Sequence, residues 1–251
     1  MTGKAVDARG GVWWRLYREV ESVEIYHVDL SPGSGREEAP LAWLDASELD
    51  RWHRVGNPAP RRRFALCRAA LRAVLCGRVG CANESLAFGF AEQGKPFAVV
   101  DGCAHPVSFN VSHSGSHGLI AVTSAGRLGV DAEERVPRRN LEALIDGVCS
   151  PREKAELESR GDPERLHLFL RFWTVKEAVV KAEGRGLAMR AAELEVPEEM
   201  RRGAPSTVAR FSQTPERSWC LEDIGAEDFA AAVAHEANPQ PSLEIVNPAA
   251  G

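Results

Sequence analysis

The chain has six cysteines, Cys67, Cys76, Cys81, Cys103, Cys149 and Cys220, but no C-x-x-C pair and no cysteine or histidine spacing of a zinc site. Free thiols in a reducing cytosol are the simplest account. The N-terminal residues MTGKAVDARGG contain no apolar stretch of the kind a secretory leader needs, and no apolar run reaches the length of a transmembrane helix. A cytoplasmic protein is therefore expected. The phosphate loop G-x-x-x-x-G-K-[ST] is absent. No G-x-G-x-x-G follows a strand pattern, because Gly184-Arg185-Gly186 follows a helical one, so a nicotinamide dinucleotide fold has no support. An excess of positive charge is also lacking. The net charge of −5 argues against a general nucleic-acid binder.

What is present points to a globular chain with a local basic cluster. At 251 residues and 44% apolar content the chain can build one large domain or two small ones. Arg51, Arg54, Arg61, Arg62, Arg63, Arg68 and Arg72 fall in one short region of an otherwise acidic protein. That concentration suits a bounded anionic ligand, such as a phosphorylated cofactor, better than a polymer.

Read in order, residues 1 to about 20 form either a frayed arm or a short helix, and Val23 to Leu30 alternates as a strand. A short helix is expected over Asp45 to Val55 and is broken by Asn57-Pro-Ala-Pro60. Pro60 precedes a segment of helical period that ends at Gly77 or Gly80. Strands follow at Leu86 to Phe90 and Phe97 to Val100. Three short runs, Val107 to His113, His117 to Thr123 and Arg127 to Glu133, read as an antiparallel meander that would bring His113 near Asp131. Helices are expected at Leu141 to Cys149, from Ser150-Pro-Arg-Glu153, and from Asp162-Pro163 to Gly184. Four strands close the chain, at Leu194 to Val196, Thr207 to Phe211, Ser218 to Ile224 and Asp228 to His235. The boundaries taken are an arm at 1–20, a first α/β half at 21–130, a second at 131–237 and a loose tail at 238–251.

Three elements carry chemistry. On a strand, Asp131 and Glu133 of Gly129-Val-Asp-Ala-Glu133 project from one face while Leu128, Val130 and Ala132 face the core. Paired carboxylates are costly without a cation between them, so the motif reads either as a solvated acidic strand end or as a hard-cation site of the magnesium type. In Phe109-Asn-Val-Ser-His-Ser114, Ser112 and His113 can donate to an anion, and as strand neighbours they cannot form a triad. In Arg171 to Leu187, Trp173, Lys176, Glu177, Val180 and Lys181 share one side of a helix, with Glu177 four residues before Lys181. Taken alone, this stretch reads first as an ordinary surface Glu–Lys pair.

In sequence order, Arg63…Arg72, Gly94-Lys-Pro96, Asn110-Val-Ser-His-Ser114, Gly129-Val-Asp-Ala-Glu133 and Trp173-Thr-Val-Lys-Glu-Ala178…Lys181…Gly184-x-Gly-Leu187 resemble the 4′-phosphopantetheinyl transferase superfamily, in its long, surfactin-type branch. The resemblance covers roughly residues 23 to 236. It implies an α/β fold of two similar halves related by a pseudo-twofold, with the site in a cleft between them, and a monomer. The reaction implied is transfer of the phosphopantetheine arm of coenzyme A to a serine of an acyl or peptidyl carrier protein, with magnesium as cofactor. By resemblance, Asp131, Glu133 and Glu177 match the magnesium ligands. Lys176 and Lys181 match the lysines near the pyrophosphate and the arm, and Glu177 the base. Arg63, Ser112 and His113 match phosphate contacts, Lys95 and Pro96 the turn lining the nucleotide, and Arg51 and Arg54 basic residues that reach the 3′-phosphate. Ala132 departs from the bulkier apolar residue usual there. A coenzyme A-binding module without activity and a metal-dependent phosphohydrolase are the competing readings.

Overall fold

A computed structural model describes residues 13–33, 38–184 and 191–238. The chain divides into two units, the first ending at Ala125 and the second beginning at Gly126. The fold is mixed α/β, with three sheets among the described residues.

The first unit contains β1 (Trp14–Val20), β2 (Val23–Asp29), α1 (Ala46–Arg54), α2 (Pro58–Val79), β3 (Leu86–Phe90), β4 (Pro96–Val100), β5 (Cys103–Ala104), β6 (Ser108–Ser114) and β7 (His117–Thr123). Strands pair antiparallel in the order β1-β2-β7-β6, and β3-β4-β5 form a separate small sheet. Residues 14–20 are thus a strand, where the sequence offered an arm or a helix. The signal is hidden by a bulge between Leu16 and Arg18 that shifts the pairing with β2 and breaks the alternation.

Helix α2 begins two residues before Pro60. Asn57 caps it through Ala59 N–H, and Pro58 opens it. Prolines are tolerated there because first-turn N–H groups have no partner inside the helix. Gly80, at φ 78°, ends the helix in the left-handed region. Leu66, Ala70 and Val74 of α2 belong to one core with Val28, Phe109, Ile120 and Val122 of the sheet and with Leu30 just after β2.

The arginine cluster divides by role. Arg72 is 1% exposed. Its Nε donates to Asn83 Oδ1 at 2.8 Å, its Nη2 to the carbonyls of Asn83 and Leu86 at 2.8 Å each, and its Nη1 to Glu48 and Asp45. It ties α2 to the start of α1 and to β3 and holds no ligand.

The second unit contains β8 (Leu128–Glu134), α3 (Leu141–Val148), α4 (Pro151–Glu158), α5 (Glu164–Glu183), α6 (Glu198–Arg201), β9 (Ser206–Ala209), β10 (Trp219–Asp223) and β11 (Phe229–Glu236). Its sheet runs β8-β11-β10-β9, all antiparallel. The expected meander therefore stops at β7. Instead of pairing with β7, β8 pairs with β11, so no shared sheet aligns His113 with Asp131. Alternation gives strands but not partners, and the glycine-bearing turn at Ser124–Gly126 imitates a hairpin. Leu194 to Val196 is not a strand. Val196 N–H is occupied by Glu153 Oε1 at 2.8 Å rather than by a neighbouring strand.

Helix α5 lies on β8 and β11, and small residues set its height. Ala230, Ala232 and Ala234 of β11 share the core of Ala178, Val179 and Ala182 of α5. On β8 the approach is closer still. A Cβ added to Gly129 would stand 2.0 Å from the Ala178 carbonyl oxygen and 2.5 Å from Ala182 N. Gly129 and, by alternation, Asp131 and Glu133 thus face α5, while the buried Leu128, Val130 and Ala132 point to the opposite side of the strand.

Candidate functional site

The second unit gathers an acidic set under α5. Asp131 is 4% exposed. Its Oδ1 accepts from Lys181 Nζ at 2.6 Å, and the same ammonium reaches the Val130 carbonyl at 3.2 Å. Glu133, two residues on, accepts from Arg138 Nη2. Glu177 of α5 is half-buried, one turn before Lys181. Burial pushes the Glu177 carboxyl above its ordinary range, the charge of Asp131 and then of Glu133 adds to this, and Lys181 opposes it. Three carboxylates from a strand and a helix are thus held within electrostatic reach of one another, with Lys181 as a counter-charge. The donor set is all oxygen, anionic and mutually repelling. That fits magnesium, which takes one or two protein carboxylates and completes its shell with phosphate oxygens and water.

Lys176 departs from the role expected of it. Its side chain is 1% exposed and forms an ion pair at 2.6 Å with Glu153, which is 0% exposed, and donates to the Val148 carbonyl at 2.7 Å. Glu153 also caps α4 through Ser150 N–H at 2.7 Å. The ammonium therefore pins α5 to α4. The spacing that puts Lys176 beside Glu177 is right, but position around the helix relative to α4 could not be read from one chain.

The first unit carries the basic counterpart. A cavity of about 390 Å³ is lined by Arg51, Val55, Pro60, Arg63, Phe64, Cys67, Arg68, Leu71, Val111 and His113. Three of the expected phosphate contacts, Arg51, Arg63 and His113, meet there. Arg54, Lys95, Pro96 and Ser112 do not line it. Ser112 is buried and, as the strand neighbour of His113, points to the other face of β6.

Arg68 lines the same cavity, although no motif residue of the family matches it. Its guanidinium lies 4.5 Å from the ring centre of Phe88, and that of Arg51 lies 5.0 Å from Phe64. Glu48 holds Arg68 Nε at 3.4 Å. Burial keeps Arg68 below the ordinary guanidinium range, with Glu48 opposing and Arg51 and Arg72 adding to the effect. Arg63 Nε and Arg68 Nη1 are buried without a hydrogen-bond partner among the described residues. Buried donors of this kind are normally satisfied, so the pair is set for an anion. A signal for Arg68 existed in its position one helical turn and a half after Arg63, close to Phe64.

Residues 127–234 match the family model of the 4′-phosphopantetheinyl transferase superfamily. The 4′-phosphopantetheinyl transferase HetI of Nostoc sp. is 32% identical over 212 residues, 84% of this chain and 86% of HetI. The chain belongs to the 4′-phosphopantetheinyl transferase superfamily. The Synechocystis sp. protein slr0495, named for the same activity, is 37% identical over 147 residues, and the match spans 59% of either chain. A 4′-phosphopantetheinyl transferase of Bacillus subtilis is 25% identical over 163 residues, 65% of this chain and 70% of that one. In this superfamily member the matched stretch contains the whole acidic set and α5, whereas the arginine cavity lies before it.

Proposed function

We propose that the protein transfers the 4′-phosphopantetheine arm of coenzyme A to a serine hydroxyl of an apo acyl or peptidyl carrier protein, with magnesium, releasing 3′,5′-ADP. The observation that carries the reading is the acidic set of Asp131, Glu133 and Glu177 beside Lys181 in a member of this superfamily. The reading also includes the long, surfactin-type branch, the pseudo-twofold and shared cleft of that branch, a monomeric enzyme and a cytoplasmic location. Among the described residues no helix is long and apolar enough to cross a membrane.

In this proposal the arginine cavity takes the 3′-phosphate end of coenzyme A, through Arg63, Arg68, Arg51 and His113, with Lys95 and Pro96 lining the nucleotide. Asp131, Glu133 and Glu177 would hold magnesium, which supplies charge neutralisation for the diphosphate. Lys181 leans on Asp131 and brings its positive charge toward the phosphate oxygens. Phosphoryl transfer asks the protein mainly for positioning and for neutralising developing charge. The serine oxygen forms a bond to the phosphorus that carries the arm, and the bond to the departing 3′,5′-ADP breaks. Glu177, directly or through a water, takes the serine proton. Lys176 acts at one remove by fixing α5.

Intact-protein mass spectrometry of an apo carrier domain incubated with the protein, coenzyme A and magnesium tests the reading. A mass gain of one phosphopantetheine arm, lost with EDTA, is expected. Glu177→Gln should abolish the gain while coenzyme A binding survives in part. Full transfer by that variant would remove Glu177 from the mechanism, and release of free phosphopantetheine without a carrier would indicate a hydrolase instead.

A further inference from the structure

A second group of metal-competent side chains lies in the first unit, outside both clusters described above. The pairing of β2 with β7 sets Asp29 opposite His117 and His27 opposite Leu119. His27, Asp29 and His117 therefore project from the same face of the sheet. Nε2 of His27 and Nδ1 of His117 stand 3.1 Å apart, with ring centres at 5.3 Å and planes tilted by 50°. Both rings are half-buried. A cavity of about 270 Å³ lined by Trp13, Trp14, Arg15, His27 and Asp29 opens beside them.

A bond between two imidazoles places one N–H and one lone pair on the line joining the rings. A shared metal ion needs two lone pairs converging at nearly the same spacing. With zinc–nitrogen bonds of about 2.0–2.1 Å in a tetrahedral site, ligand nitrogens lie roughly 3.3–3.4 Å apart. The observed separation is short of that spacing by only about 0.3 Å, and each ring turns by roughly 35° from the head-on alignment of a hydrogen bond for both lone pairs to meet at one ion. The rings then carry their protons on the outer nitrogens, Nδ1 of His27 and Nε2 of His117. Charge at the site is mixed, because Arg15 pairs with His27 on β1 while Asp29 lies two residues along β2.

We propose that His27 and His117 form a binding site for a divalent transition ion of the zinc or cobalt class, with the remaining positions taken by water or a small anion from the adjoining cavity. Imidazole selects such ions over magnesium, so this site and the carboxylate set would not compete for one metal.

Cobalt titration of the full chain, followed by its visible absorption, tests the proposal. One equivalent is expected to bind with a nitrogen–oxygen spectrum, to be displaced by zinc and to be unaffected by excess magnesium. His27→Ala and His117→Ala should each weaken binding roughly tenfold or more, since even indirect supports of metal ligands cost that much. His27→Gln and His117→Asn, checked for unchanged urea unfolding, guard against loss of fold. Nickel should also quench the fluorescence of Trp13 and Trp14 in the parent chain and not in these variants. Absence of binding at micromolar cobalt, undiminished binding in both histidine variants, or an intense thiolate charge-transfer band from the cysteines would overturn the assignment.

Discussion

Replacing Lys176 by Met separates two accounts of the same residue. The ammonium and the Glu153 carboxylate are 1% and 0% exposed and 2.6 Å apart. Met keeps the length of the stem and removes only the charge. Glu153 would then be a buried carboxylate held by two backbone donors, Ser150 N–H at 2.7 Å and Val196 N–H at 2.8 Å. Breaking a buried pair on one side costs about 3–5 kcal/mol. The surviving donors bring the expectation here to about 3 kcal/mol, a large share of a domain's roughly 5–15 kcal/mol. Glu153→Gln alone should cost a similar amount. The double variant should cost less than the sum of the two by about 2 kcal/mol, because neither charge is then stranded. Urea unfolding followed by the fluorescence of Trp173 and Trp219 measures these values, and calorimetry of coenzyme A binding to the folded fraction completes the set. Loss of less than about 1 kcal/mol, together with collapse of coenzyme A affinity or transfer, would refute the structural role and return the ammonium to the ligand.

Other consequences can be checked as directly. Gly129→Ala should destabilise the second unit by about 1–3 kcal/mol or more, because the new methyl meets the Ala178 carbonyl oxygen at 2.0 Å and only backbone movement relieves it; transfer should fall even at temperatures where the variant is folded, and unchanged turnover would show that β8 and α5 have slack. Arg68→Gln and Arg63→Gln should each weaken coenzyme A binding by roughly ten- to a hundredfold, the worth of a charge-assisted hydrogen bond, and dephospho-coenzyme A should be nearly indifferent to both; equal losses for the two ligands would dissociate the cavity from the 3′-phosphate. Asp45 is partly buried, which by itself raises its pKa, but hydrogen bonds from Glu48 N–H and Ser47 and the charge of Arg72 outweigh this and hold it below 3.8. Its contribution to stability is therefore present above that value and is lost as pH falls through the lowered one. Asp45→Asn should flatten the acid limb of the unfolding profile, and an unchanged acid limb would contradict the assignment.

Much of the second unit was legible because its signals are local. Ser150-Pro-Arg-Glu153 forms the expected capping box, and Gly184 ends α5 in the left-handed region at φ 76°. The acidic strand face followed from alternation alone. What was not legible depends on partners distant in sequence. β8 looked like the third strand of a meander because its turn is local, whereas its pairing with β11 spans about a hundred residues. Lys176 looked like a companion of Glu177 because helical spacing is local, whereas its partner Glu153 is fixed by how α4 packs. Arg72 and Arg68 were equivalent members of a basic cluster in the sequence. Only the fold distinguishes the one sealed by Asn83, Leu86 and Glu48 from the one that lines a cavity.

The layer of Gly129, Ala230, Ala232 and Ala234 beneath α5 has an implication for natural variation in this chain. The distance between Asp131 and Glu177 is set by residues that have no functional groups. A survey of variants that watches only acids, lysines and arginines would pass over the positions where one extra methyl does the most harm. Conversely, the charge around the acidic set is set by neighbours such as Arg138, which is only half-buried and pairs with Glu133. Vulnerability and adaptability thus fall on different residues, and the most vulnerable are the plainest in the sequence.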